Sequence, residues 1–132
     1  MAYALSLKQP WAALVVHGLK TIEVRRWPTR HRGVLLIHAS QQWDDRAATD
    51  GLAPEVLATA ELRGGIIGQV ELVELKAYRT PEAFAADQAA HWNQPEWFEG
   101  PVVFGFRFIS AKTVPFKRCK GQVRLFTVPV DG

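Results

Sequence analysis

Within GLKTIEVRRW, residues 18–27, a lysine, a glutamate and an arginine stand at positions 20, 23 and 25. These three types can serve one polar ligand in complementary ways. Lys20 offers a flexible cation for a phosphate or a developing oxyanion, and Glu23 an acceptor for an exocyclic amine or a proton. Arg25 offers a planar fork or a stacking plane. Glu23 and Arg25 are two apart, so on a strand they share a face. There they could equally be a plain surface ion pair worth up to about 1 kcal/mol. Strict alternation puts Lys20 on the other face, and it joins the pair only if the chain is still turning after Gly18.

Other residues invite chemistry less specifically. Trp27 falls on the face of Glu23, where it can stack on a base or pack. His38 and Ser40 close the apolar run VLLIHAS and can reach a ligand, although a hydrogen-bonded core histidine is the commoner outcome for His38. In FKRCKG, residues 116–121, Lys117, Arg118 and Lys120 interleave with an aromatic and precede Gly121, which suits a loop touching phosphate, or simply a solvated surface. Cys119 has basic neighbours but no assignable partner and reads as an inert thiol. The four histidines lack metal-ligand spacing, and there is no glycine-rich phosphate loop or dinucleotide fingerprint, so no metal site and no cofactor is expected.

The elements that must position these groups follow from periodicity. Pro10 to His17 reads as a short helix with Trp11, Leu14 and Val15 on one face and Gly18 as its left-handed stop. Trp11 is read as packing. Thr21 to Trp27 alternates as a half-buried strand, and Val34 to Ala39 as a strand buried on both faces lying next to it. Gln41 to Leu62, alanine-rich and acidic, reads as helix interrupted near Gly51 and Pro54. IIGQVELVEL reads as a long strand with Ile66, Val70 and Leu72 inward and Gly68 marking a bulge or a close approach. Thr80-Pro81-Glu82 opens another helix. VVFGFRFI, residues 102–109, and QVRLFTV supply two further strands. WNQPEWF, Trp92 to Phe98, is a packed loop or a lid. The expected class is α+β, a small mixed sheet of five or six strands closing into a barrel with flanking helices.

Length and charge set the bounds. At 132 residues the chain fits one domain, 1–132. One cysteine and the lack of a secretory leader suggest a cytoplasmic address, and no apolar run is long enough to cross a membrane. The net charge is only +3, yet the pI is about 9.3. Residues 1–33 hold six basic groups against the single acid Glu23; residues 34–101 hold four against eleven acids; residues 102–132 hold six against Asp131. If the ends meet, as chain termini often do, they form one positive face suited to a polyanion.

Leu5 to Ser40 resembles the ASCH domain (activating signal cointegrator homology), a branch of the PUA-like superfamily. Gly18, Lys20, Glu23 and Arg25 match its G-x-K-x-x-E-x-R signature, and Gln9-Pro10-Trp11-Ala12, Trp27 and His31-Arg32-Gly33 match its flanks. A looser likeness runs on through GGIIGQVELVEL and PVVFGFRF to the basic C-terminal segment. The resemblance implies a barrel with flanking helices, and beside it a cleft into which the signature residues project. It also implies RNA, single-stranded nucleic acid or a nucleotide-like small molecule as the partner, with Lys20, Glu23, Arg25, Trp27, Arg32, His38, Ser40, Lys117, Arg118 and Lys120 as candidate contacts. Some family members are hydrolases of nucleic acid or modified nucleosides. In the branch that deacetylates acetylcytidine a threonine stands three positions after the lysine; here that position is Glu23, and the nearest hydroxyl is Thr21. An enzyme reading, ribonuclease or amidohydrolase, would therefore use Lys20 and Glu23, with Thr21 as a weak third candidate. A protein-interaction module of the coactivator type is a further alternative.

Overall fold

The computed structural model describes residues 1–129; Asp131, the single acid of the C-terminal block, lies outside them. Strand β1 (Ala2–Gln9) leads into α1 (Trp11–Val16), followed by β2 (Ile22–Arg25), β3 (Gly33–Trp43), α2 (Pro54–Ala60) and β4 (Gly65–Tyr78). Two short helices, α3 (Pro81–Ala86) and α4 (Gln88–His91), and a 3₁₀ turn at Pro95–Trp97 precede β5 (Val103–Arg118) and β6 (Leu125–Val128).

The strands form one mixed six-stranded sheet in the order β2-β5-β4-β3-β1-β6, with β1 and β3 parallel. The class is α+β as expected. The sheet is not closed, because β2 and β6 occupy opposite edges with no ladder between them. It is nevertheless strongly coiled: Arg25 on the β2 edge donates from Nη2 to the Ser6 carbonyl of β1 at 2.9 Å. The expected neighbours also differ, since β2 pairs with β5 while β3 lies between β1 and β4. Alternation orients side chains but carries no information about which distant strand supplies the partner.

Helix α1 packs on this sheet, against β1, β3, β4 and β5. All six of its residues are buried: Ala12, Val15 and Val16 join the sheet core with Leu7, Ile37 and Phe106, while Trp11, Ala13 and Leu14 pack against α2. The single apolar face expected for it is thus an all-round one. Gln9 holds its first turn, the side-chain oxygen accepting from Ala13 N at 3.0 Å while the amide donates to the Thr59 and Leu62 carbonyls at the end of α2. Gly68 lets the helix approach the sheet. The β3–β4 and β4–β5 registers shift beside it, and a Cβ there would meet Val16 and come within 2.5 Å of the Lys112 carbonyl.

Several elements differ in extent from expectation; the last strand, for one, spans only Leu125–Val128 of the expected QVRLFTV run. β3 continues as an exposed strand to Trp43, so only Pro54–Ala60 of the 41–62 segment is helical. The strand β3 is also not buried on both faces, Val34 being 51% exposed. β5 runs to Arg118, so Phe116, Lys117 and Arg118 end a strand and only the residues after them form the expected loop. The Thr80 cap is as read, its hydroxyl accepting from Ala83 N. No helix among the described residues is long and apolar enough to cross a membrane.

Candidate functional site

Gly18, with φ +76°, ends α1 in the left-handed region. The amides of Leu19 and Lys20 both return to the Leu14 carbonyl. The chain is therefore still turning at Lys20, which enters the interior ahead of β2 instead of pointing away from Glu23. Only 2% of Lys20 is exposed. Its ammonium donates to the carbonyls of Ile22 at 2.8 Å and His91 at 2.5 Å, and it pairs with Glu23 Oε1 at 3.4 Å. Burial pushes its pKa down, Glu23 pulls it back up, and Arg25 pushes down again. The Trp11 ring lies 5.4 Å from the ammonium. Glu23 Oε2 accepts from Arg25 Nε at 3.0 Å. Lysine, glutamate and arginine thus form one continuous chain from the α1 turn to the β1 backbone.

This chain lines a cleft of about 560 Å³ whose walls come from β1, β2, the end of β3 and the segment before β6. Trp11 and Trp27 supply aromatic surface, Ser6, Ser40, Gln42, Asn93 and Gln122 supply uncharged polar groups, and Lys8 and Arg124 are exposed cations at its margin. The Trp27 ring is held edge-on by Phe106 at 5.2 Å, and the Arg124 guanidinium lies 5.6 Å from it. On the far wall Asp44 accepts from Trp11 Nε1 at 2.8 Å and from two nitrogens of Arg46 at 3.0 and 2.9 Å. The Arg46 bonds, opposed in part by burial and helped by Trp11, hold the Asp44 carboxyl well below its usual range. Arg46 in turn covers Trp97 at 4.3 Å.

Behind the lysine, His91 is fully buried. Its Nε2 faces the Phe84 carbonyl at 2.7 Å and so must carry the proton, leaving Nδ1 to accept from Asn93 N at 3.0 Å. Desolvation pushes its pKa down, which favours this neutral form. The histidine thereby fixes Asn93 in the cleft wall.

A model of the ASCH domain matches residues 5–110. The chain belongs to the ASCH domain family. Over 38 residues it is 53% identical to activating signal cointegrator 1 of Mus musculus and of Homo sapiens, a segment that is 29% of this chain and only 6% of either relative. The chain therefore corresponds to a small part of those proteins. The crystal structure of the ASCH protein from Zymomonas mobilis superposes with a TM-score of 0.70, covering 97% of this chain and 87% of the other at 15% identity. A single-residue variant of that protein gives 0.69 over 97% and 88%. At that identity the likeness speaks for the fold.

In this ASCH domain, Lys20, Glu23, Arg25, Trp27 and Ser40 line one cleft. His38, Arg118 and Lys120 line a second cavity beside it, with Ser40 common to both. His38 is a core histidine bonded on both ring nitrogens, to Ser6 Oγ at 2.9 Å and the Cys119 carbonyl at 2.8 Å. Three residues lie elsewhere. Thr21 precedes β2, is exposed, and does not line the cleft. Arg32 is occupied within its own turn, donating to the Thr29 and His31 carbonyls. Lys117 points from the end of β5 toward the Pro129 carbonyl at 3.4 Å. The tryptophan-rich 92–98 segment is packed: Trp92 Nε1 donates to the Leu19 carbonyl and Trp97 meets Trp11 edge-on.

Sequence reasoning did not pick out Ser6, Lys8, Asp44, Arg46, Asn93 or Arg124. Ser6 and Lys8 carried a signal, being polar residues two apart on one face of the strand, flanking the apolar Leu7. Asp44 and Arg46 sit where helix was expected. Among the described residues no group of three or more His, Cys, Asp or Glu side chains converges as a metal site.

Proposed function

We propose that this ASCH domain binds single-stranded RNA or a nucleotide-like part of one, with a base in the cleft beside Trp27 and Glu23 and the phosphates on its basic margin. The observation that carries this is that Trp27 and the Glu23 carboxylate line one cleft together with the exposed cations Lys8 and Arg124. An aromatic face serves any base, a carboxylate accepts from an exocyclic amine, and cations at the margin serve the backbone. The family and the basic chain ends favour the same partner.

In this reading Lys20 is a positioning residue. Its three protons are directed at three acceptors, and its role is to hold Glu23. A hydrolytic alternative, on RNA or on an acetylcytidine-like nucleoside, is favoured by one feature, the adjacency of the buried amine to a carboxylate that borders the cleft. It requires Lys20 to leave those acceptors.

Fluorescence anisotropy with a labelled hexanucleotide RNA tests the proposal, with the RNA recovered afterwards. Wild type should bind, and Trp27→Ala should weaken binding about tenfold, the usual size of one lost base stack. Glu23→Gln should weaken it with the RNA intact in every sample. Equal affinity for wild type and Trp27→Ala would remove the base from this cleft. Cleaved RNA that is spared by Glu23→Gln would establish the hydrolytic reading in its place.

A further inference from the structure

Beside the cleft lies a second cavity of about 690 Å³. The two share a divide made by Ser6, Ser40, Gln42, Gln122 and Val123. We propose that they form one track, so that the ligand is a strand of at least two nucleotides whose backbone phosphate beyond the bound base lies against Arg118 and Lys120. The proposal rests on the reading of the first cleft given above and names the length of its ligand.

Charge separates the two cavities. The first cleft carries Glu23 and Asp44 among its cations, whereas the second has Arg118 and Lys120 and no carboxylate among its lining residues. Neither cation is in an ion pair among the described residues. A free nucleoside would leave such a surface unused, while the phosphate of a following nucleotide fits its sign. The divide is uncharged. Its hydroxyls and amides can bond ribose hydroxyls without regard to sequence.

The floor and lip of this cavity are built. His38 ties β1 to the loop after β5, its Nε2 donating to the Cys119 carbonyl and its Nδ1 paired with Ser6 Oγ. Gly121 lies so close that a Cβ would fall 2.7 Å from the His38 ring. Farther along the loop, Arg124 has φ +57°, a left-handed conformation that is costly for a residue other than glycine. Next to this turn, Val123 is 89% exposed on the divide, and the Arg124 side chain lies toward Trp27. An apolar side chain so exposed between two polar cavities suits the face of a base or sugar crossing from one to the other. Residues 118–124, which supply one wall of this cavity, lie beyond the 5–110 span that the family model matches.

The test compares cytidine 5′-monophosphate with hexacytidylate as competitors of a fluorescein-labelled hexacytidylate, for wild type and for Arg118→Ala/Lys120→Ala. A charge-matched control, Arg79→Ala/Lys112→Ala, removes two exposed cations that line neither cavity. Hexacytidylate should bind wild type about tenfold or more tighter than the monophosphate. The Arg118→Ala/Lys120→Ala variant should lose most of that gain and keep the monophosphate affinity within about twofold, and the control should keep both. Equal affinity for the two ligands would overturn the track and leave a one-nucleotide site. The same losses in the control would reduce it to a diffuse field. No binding of either ligand to wild type would overturn the track together with the reading beneath it.

Discussion

A lysine ammonium taken out of water costs several kcal/mol unless acceptors meet its protons. At Lys20 they do: two backbone carbonyls and Glu23 surround the nitrogen. The same three contacts spend the side chain, so that a residue type suggesting catalysis from the sequence serves as an internal strut. Lys20→Met keeps the apolar stem but leaves the Ile22 and His91 carbonyls and the Glu23 carboxylate without their donor. Breaking a buried pair in this way should lower the stability of the domain by about 3 kcal/mol, read as a fall in the urea midpoint with an unchanged slope. A lysine held only for chemistry would show little or no loss, because it would not be satisfying the backbone. The spacing of Lys20, Glu23 and Arg25 showed which residues stand together. It could not show the strut, since the His91 carbonyl comes from 71 residues away.

Strand and helix identities were legible where one face meets the core, as in β2, the first half of β3, and β4. They were lost where an element leaves it. β3 beyond Ser40 is exposed at Gln41, Gln42 and Trp43, and β5 beyond Phe108 is mostly exposed, with Ser110 at φ +56° and shifted registers breaking the period. These stretches are held by ladder bonds to neighbours and not by an apolar stripe, so alternation has nothing to record. Gly68 is the instructive exception. An isolated glycine in a strand signalled a bulge or a close approach, and both are present, with α1 seated on it. Gly68→Ala should therefore push α1 off the sheet and cost about 1–3 kcal/mol, the range for overpacking a filled core, measured by urea denaturation. A loss below about 0.5 kcal/mol would mean that the helix is not fixed by this contact. Because α1 ends at the Gly18 turn that delivers Lys20, the variant should also weaken RNA binding.

At the scale of the molecule, the charge partition of the sequence becomes geometry through the β1–β6 pairing, which sets the two basic ends side by side. Lys8 from the first block and Arg124 from the last then border one cleft, with Arg118 and Lys120 in the cavity next to it. Not every basic residue of the ends arrives there. Arg26 pairs with Glu99, Arg107 with Glu74, and Arg32 closes its own turn. Arg25 and Arg46, though in the cleft, are already committed to Glu23 and Asp44. Net charge cannot make this distinction, but salt dependence can. Each phosphate neutralised on a single strand contributes about 0.7 to the slope of log affinity against log salt. Four cations with no carboxylate partner among the described residues of the two cavities give a slope between about −2 and −3 for an oligocytidylate of about fifteen nucleotides, which offers a phosphate to every cation, whereas all twelve basic residues of the two ends acting together would give roughly −8. Titrations across several salt concentrations decide between them. A slope near zero would sink phosphate recognition altogether. A slope near the larger value would show that the basic ends act as a diffuse field, with the shape of the cleft contributing little to where the strand lies.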